Sequence, residues 1–161
     1  MELYHGTNMR FKEIDLSKSK QGKDFGKGFY LSADYKQAEV MAITKVNQLG
    51  GEQTILSYSF DEKLFDSNEL KVKRFEGYSQ EWAEFVFANR SSTSPMPAHD
   101  YDIVIGPIAN DRVGLQIRRF MEHDIDINTF LNKLKYMKGV TTQYFFGTEK
   151  ATALLKPIDA K

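Results

Sequence analysis

Apolar positions in this chain recur with two spacings, and the spacings predict short strands alternating irregularly with helices. Residues 3–5 read as a strand broken at Gly6, and residues 29–32 as a second one. Between them, residues 8–28 are polar and rich in Lys and Gly. They show no sustained period, which predicts a loop with room for one helical turn. Asp34 is placed to cap a helix running through Ala38, Val40, Met41 and Ile43 to about Gln48, and Gly50-Gly51 stops it. Alternation resumes at residues 53–60, a strand, and residues 61–74 fit either a short helix or a strand. Trp82, Phe85, Val86 and Asn89 fall on one side of a helix over residues 79–89. Pro95 and Pro97 mark residues 91–100 as loop. The run YDIVIG at 101–106 predicts a strand buried on both faces. A helix over 127–137 turns Phe130, Leu131 and Leu134 inward and ends at Gly139. A strand at 142–146, a short helix at 149–155 and an edge strand at 155–158 limited by Pro157 complete the chain.

No regular strand–helix alternation, repeat or linker interrupts this pattern. The expected fold class is therefore α+β, in a single domain over residues 1–161. Formal net charge is zero, so no overall field steers the chain to nucleic acid or an anionic membrane, although local patches survive a neutral total. The absence of Cys excludes disulfides, thiolate metal sites and a Cys nucleophile, and fits a reducing compartment. Met1 leads directly into Glu2, Leu3 and Tyr4 without a basic start or apolar run, and no stretch approaches the length of a membrane span. A cytoplasmic location with no membrane contact is expected.

Candidate chemistry gathers in a few strings. In LYHGT, His5 ends a strand and Gly6 follows it, where a missing Cβ would let a ligand reach the backbone N–H and C=O; Thr7 adds a hydroxyl. Alone, His5 reads as a polar strand end. In DFGKGFYLS, Gly26-Lys27-Gly28 lacks the spacing of a Walker loop and reads as a glycine turn entering a strand. Tyr30 alternates with Phe29 and Leu31, so it faces away from the core they suit. Gln143 heads a strand, and Glu149 fits a helical first turn. Asn89-Arg90 and Asn110-Asp111 bracket YDIVIGPIAND, the second pair reading as a turn and Arg90 as solvated or paired. His5, His99 and His123 have no metal-ligand spacing, so no metal is expected, and no Gly-x-Ser-x-Gly elbow supports serine hydrolysis.

Taken in order, His-Gly-Thr, Gly-Lys-Gly-Phe-Tyr and a polar strand residue near the C-terminus resemble the ADP-ribosyltransferase superfamily. The similarity is to its poly-ADP-ribose-polymerase and diphtheria-toxin-like branch, which carries a His-Tyr-Glu triad. Nearly the whole chain also resembles a family of small, uncharacterised bacterial domains in which YHGT, GKGFY, YDIVIGPIAND and QYFF-x-TEKA occur in this order. The resemblance implies split antiparallel sheets around an NAD-binding cleft with flanking helices. It implies catalytic roles for His5 on the adenosine ribose, Tyr30 against the nicotinamide ring, and Gln143 in the place of the Glu that grips the nicotinamide ribose. Gly6 would hold the carboxamide, with Thr7, Gly28 and Met41 completing the NAD site. Glu149 is the alternative acid. Ala38 and Met41 stand where the polymerase branch has a Ser and a second Tyr.

The implied activity is mono-ADP-ribosyl transfer from NAD to a macromolecular acceptor, protein or nucleic acid, with release of nicotinamide, in a bacterial toxin or defence setting where a small inhibitory antitoxin would be a partner. Cleaving the nicotinamide bond develops positive charge on the ribose. Glutamine accepts the hydrogen bond there without supplying charge, a loss of about 1 kcal/mol or more. That substitution keeps a second reading open: a weak or inactive module that binds NAD or ADP-ribose, or docks a partner.

Overall fold

A computed structural model describes residues 1–137 and 141–158. The strands are β1 (Glu2–Thr7), β2 (Phe29–Leu31), β3 (Thr54–Ser59), β4 (Val72–Arg74), β5 (Ile103–Pro107), β6 (Thr142–Phe146) and β7 (Lys156–Ile158). The helices are α1 (Tyr35–Leu49), α2 (Gln80–Ser91), α3 (Asp111–Met121), α4 (Ile127–Lys135) and α5 (Glu149–Thr152). The class is α+β. Three strands in the order β1-β3-β7 form an antiparallel sheet, and four in the order β2-β6-β5-β4 form the second. The second sheet is mixed, because β4 runs parallel to β5, so the expectation of antiparallel sheets throughout is corrected. The ambiguous stretch 61–74 supplies both a 3-10 turn, Glu62–Asp66, and β4.

Strand alternation assigns the faces. Leu3, Leu56 and Tyr58 of the first sheet and Phe29, Leu31, Ile103 and Phe146 of the second share one hydrophobic cluster, so the sheets pack face to face. Val104, Phe145 and the partly buried Tyr30 point the other way, into a second cluster with Trp82, Val86, Val113 and Phe130 of α2, α3 and α4. Strand β5 is therefore covered on both sides, as its apolar run predicts.

Local chemistry explains most element boundaries. Asp34, Ser79, Asn110, Asp126 and Thr148 each accept a backbone N–H in the first turn of the helix they precede. Helix α3 corrects the turn read at Asn110-Asp111: Asn110 is its cap and Asp111 its first residue. Gly114, inside α3, leaves room for Arg90, whose Nη1 would sit 2.6 Å from an added Cβ. Leu131, expected inward, lies on the exposed side of α4, whose buried contacts are Phe130 and Leu134. The stop expected at Gly139 lies outside the described residues.

Gly6 has a structural purpose as well. A Cβ there would sit 2.0 Å from the Ala38 carbonyl oxygen and 2.8 Å from the Ala42 nitrogen, so α1 packs on β1 backbone to backbone. Replacing Gly6 by Ala forces these elements apart. Gly6→Ala is expected to cost about 2–4 kcal/mol, read as a lowered urea midpoint with the slope unchanged.

Candidate functional site

The two sheets meet edge to edge at one residue pair and then separate. Tyr4 and Ser32 exchange both backbone hydrogen bonds, each 2.8 Å. Alternation then turns the N–H and C=O of Gly6 and of Tyr30 toward the same gap, not toward β3 or β6. Partners across an antiparallel pair share a face, so Tyr4, Gly6, Ser32 and Tyr30 lie on the outer side of this junction. His5 leaves β1 on the inner side, stacked on Phe29 at 4.1 Å between ring centres, with Phe11 edge-on.

His5 Nδ1 lies 2.7 Å from the Tyr30 carbonyl oxygen. A carbonyl only accepts, so Nδ1 carries the proton, and Nε2, which bonds nothing among the described residues, presents a lone pair. Burial, and then the positive charges of Lys45 and Lys23, push the His5 pKa down to about 3. The imidazole is thus a neutral hydrogen-bonding group. His5 and Tyr30 are brought together, but through a side chain and a backbone carbonyl; the two rings lie on opposite faces.

The Tyr30 hydroxyl donates to Gly26 O at 2.6 Å and accepts from Phe25 N–H at 3.0 Å. Burial raises its pKa, so it stays a phenol. Its ring packs on Phe145 at 5.2 Å, and Lys23 Nζ lies 5.3 Å from the ring centre. Gln143 shares this face but is buried and engaged elsewhere. Its Nε2 donates to Asp24 Oδ2 at 2.9 Å, while Asp24 also accepts from Ala109 N–H at 2.9 Å and from Arg90 Nε at 2.7 Å. This network ties the loop 21–28 to α2 and to the ends of β5 and β6. It settles Arg90 as paired, and it places a carboxylate beside the residue that stands where a Glu was expected.

The remaining predicted residues divide. Thr7 is almost fully buried. Gly28 is required by packing, since a Cβ would lie 2.2 Å from the Phe145 ring, and its N–H is taken by Ser19 Oγ at 2.9 Å. Met41 is exposed on α1, one turn beyond the Ala38 contact with Gly6. Glu149 is exposed in the first turn of α5, away from the Gln143 network. Asn89 is buried and donates to Phe85 O at 2.8 Å.

Sequence reasoning missed Asp24, Lys23, Lys45 and His99. Lysine enrichment in the loop, and the four-residue step from Met41 to Lys45 on α1, were the available signals. His99 holds the loop from below, donating from Nε2 to Phe25 O at 2.8 Å and accepting Tyr101 N–H at Nδ1, 3.1 Å. It also lines a groove of about 790 Å³ between residues 16–27 and 92–101, floored by Phe145 and Tyr101. Neither His5, Tyr30 nor Gln143 lines that groove.

The family model described as "Protein of unknown function (DUF3990)" matches residues 1–156. The chain belongs to the DUF3990 family. No curated protein and no solved structure matches it. The DUF3990 match spans the junction, the loop and the Asp24–Arg90–Gln143 network together. No described helix is long and apolar enough to cross a membrane.

Two expected outcomes follow from this geometry. Unfolded His5 takes a proton below its ordinary 6.5, whereas the folded ring does so only near 3. Its contribution to stability is complete above pH 6.5 and falls as pH drops toward 3, and ring nitrogen NMR shifts should show the Nδ1–H tautomer unchanged down to about pH 4. Gln143→Glu sets a second carboxylate against Asp24. It should lower stability at pH 7 by about 1–3 kcal/mol and recover part of it near pH 5, where the pair shares a proton, as read by urea denaturation at the two pH values.

Proposed function

We propose that this DUF3990 chain binds NAD at the junction of its two sheets and transfers ADP-ribose to an acceptor, releasing nicotinamide, on an ADP-ribosyltransferase-like fold. The observation that carries the reading is the gap beyond the Tyr4–Ser32 pair, with backbone N–H and C=O groups of Gly6 turned into it and Tyr30 on the same face. A strand edge offering a donor and an acceptor together suits a carboxamide, which presents the complementary pair. His5 supports the reading because its neutral ring keeps an acceptor nitrogen for a ribose hydroxyl.

In the transfer, the bond from nicotinamide nitrogen to ribose C1′ breaks and its electron pair stays with nicotinamide. The acceptor's nucleophilic atom then bonds C1′ and loses its proton. Charge on the ribose grows as the bond breaks. In this reading Gln143 accepts no charge itself, and Asp24, 2.9 Å from its amide nitrogen, is the nearest carboxylate in the network.

A second reading, a module that holds NAD or ADP-ribose without turnover, is favoured by the same contact. The Gln143 amide is committed to Asp24, and the Asp24 charge is matched by Arg90.

Nicotinamide release from NAD separates the two readings. The transferase predicts release that falls at least about tenfold in His5→Ala and Tyr30→Ala, the equivalent of about 1.4 kcal/mol of lost transition-state binding, with folding checked by circular dichroism. Heat on titration with NAD but no release would establish the binding module. No binding would reject both.

A further inference from the structure

A formal charge of zero hides an uneven distribution. Residues 18–27 hold Lys18, Lys20, Lys23 and Lys27, and the one carboxylate among them, Asp24, is turned inward onto Arg90 and Gln143. Lys23 is half-buried at the edge of the junction, 5.3 Å from the Tyr30 ring centre. Helix α1, which packs on Gly6, carries Lys45, also half-buried, one turn past Met41. Among the described residues neither lysine has an ion pair, although Lys71, Lys73, Arg74 and Arg90 each have one.

Both ammonium groups act on His5, and the charge of Lys23 acts on Lys45. Burial, and then the charge of Lys23, hold Lys45 down to about 8; burial, and then Lys20, lower Lys23. Partly desolvated cations that repel each other and have no counter-ion are costly to maintain, and an anion between them removes that cost. Because the cations stand on separate elements, a group with two linked negative centres can meet both.

We propose that Lys23 and Lys45 form an anion subsite at the sheet junction that takes the diphosphate of a dinucleotide. The assignment deepens the NAD reading and rests on it for the dinucleotide. The lysines supply the charge attraction, the backbone of Gly6 supplies directional bonds further along the gap, and neutral His5 keeps its Nε2 for a hydroxyl. A peptide carboxylate would need only one of the two cations.

Titration calorimetry of the full chain with inorganic pyrophosphate, inorganic phosphate and ADP-ribose tests the subsite without requiring turnover. Neither side chain makes a hydrogen bond or ion pair among the described residues, so Lys23→Met and Lys45→Met should fold as the parent does. Each is expected to weaken pyrophosphate and ADP-ribose binding at least about fivefold, and the pair together to remove pyrophosphate binding. The Arg replacements should retain it, and Lys63→Met, on the exposed 3-10 turn, should leave it unchanged. Binding should weaken as salt rises from 50 to about 300 mM. Lysine-dependent pyrophosphate binding without nicotinamide release from NAD would leave the subsite standing and remove the transferase reading. Nicotinamide release undiminished in the double variant would do the reverse. The subsite is overturned if pyrophosphate does not bind, if phosphate binds as tightly, or if the methionine variants bind as the parent does.

Discussion

Everything at the candidate site depends on one backbone pairing that stops early. Tyr4 and Ser32 close two hydrogen bonds and join the sheets at a corner. The next residues on β1 would continue the ladder to β2, but His5 puts its ring on Phe29 and bonds the Tyr30 carbonyl with Nδ1–H. That bond satisfies a carbonyl the divergence would otherwise leave unpaired, so the split is a stable feature and not a frayed edge. It also fixes the tautomer of His5 and the outward aim of the neighbouring peptide groups. Structural and proposed binding roles therefore fall on the same atoms, and a change at His5 alters both.

The second constraint is the loop that covers Tyr30. Phe25 is fully buried in the cluster with Trp82 and Val104, and Asp24 beside it carries hydrogen bonds from three partners on α2, β6 and the end of β5. An apolar anchor and a polar one in adjacent residues pin the loop. Lys18, Lys20 and Lys27 are exposed, while Lys23 stays half-buried at the edge of the junction. A neutral chain acquires a local positive edge in this way: folding turns one carboxylate inward and leaves the cations outside.

Glycines illustrate how one residue type serves several ends. Gly6 combines close packing of α1 on one side with a backbone edge turned to the gap on the other. Gly28 serves packing on Phe145 and gives its N–H to Ser19 Oγ. Gly114 opens space for Arg90 inside a helix, at a helix-propensity cost of about 1 kcal/mol, and its presence is one reason α3 was not legible as a helix.

Local chemistry determined much of this protein from the sequence alone. The cap at Asp34, the helix read over residues 79–89, the apolar run of β5, the edge strand at Pro157 and the opposite facing of Phe29 and Tyr30 all depend on spacings of a few residues. The break expected at Gly6 is corrected: β1 continues through Gly6 to Thr7, paired with β3 throughout, so His5 lies inside the strand. Tertiary structure alone decided which groups meet across long separations. Asp24 and Gln143 are far apart in sequence, as are Lys23 and Lys45, and no period or motif links either pair. It also decided that Gln143 turns to Asp24 and that β4 runs parallel. These outcomes depend on how loops close and which buried polar groups must find partners, and that accounting is complete only once every element is in place.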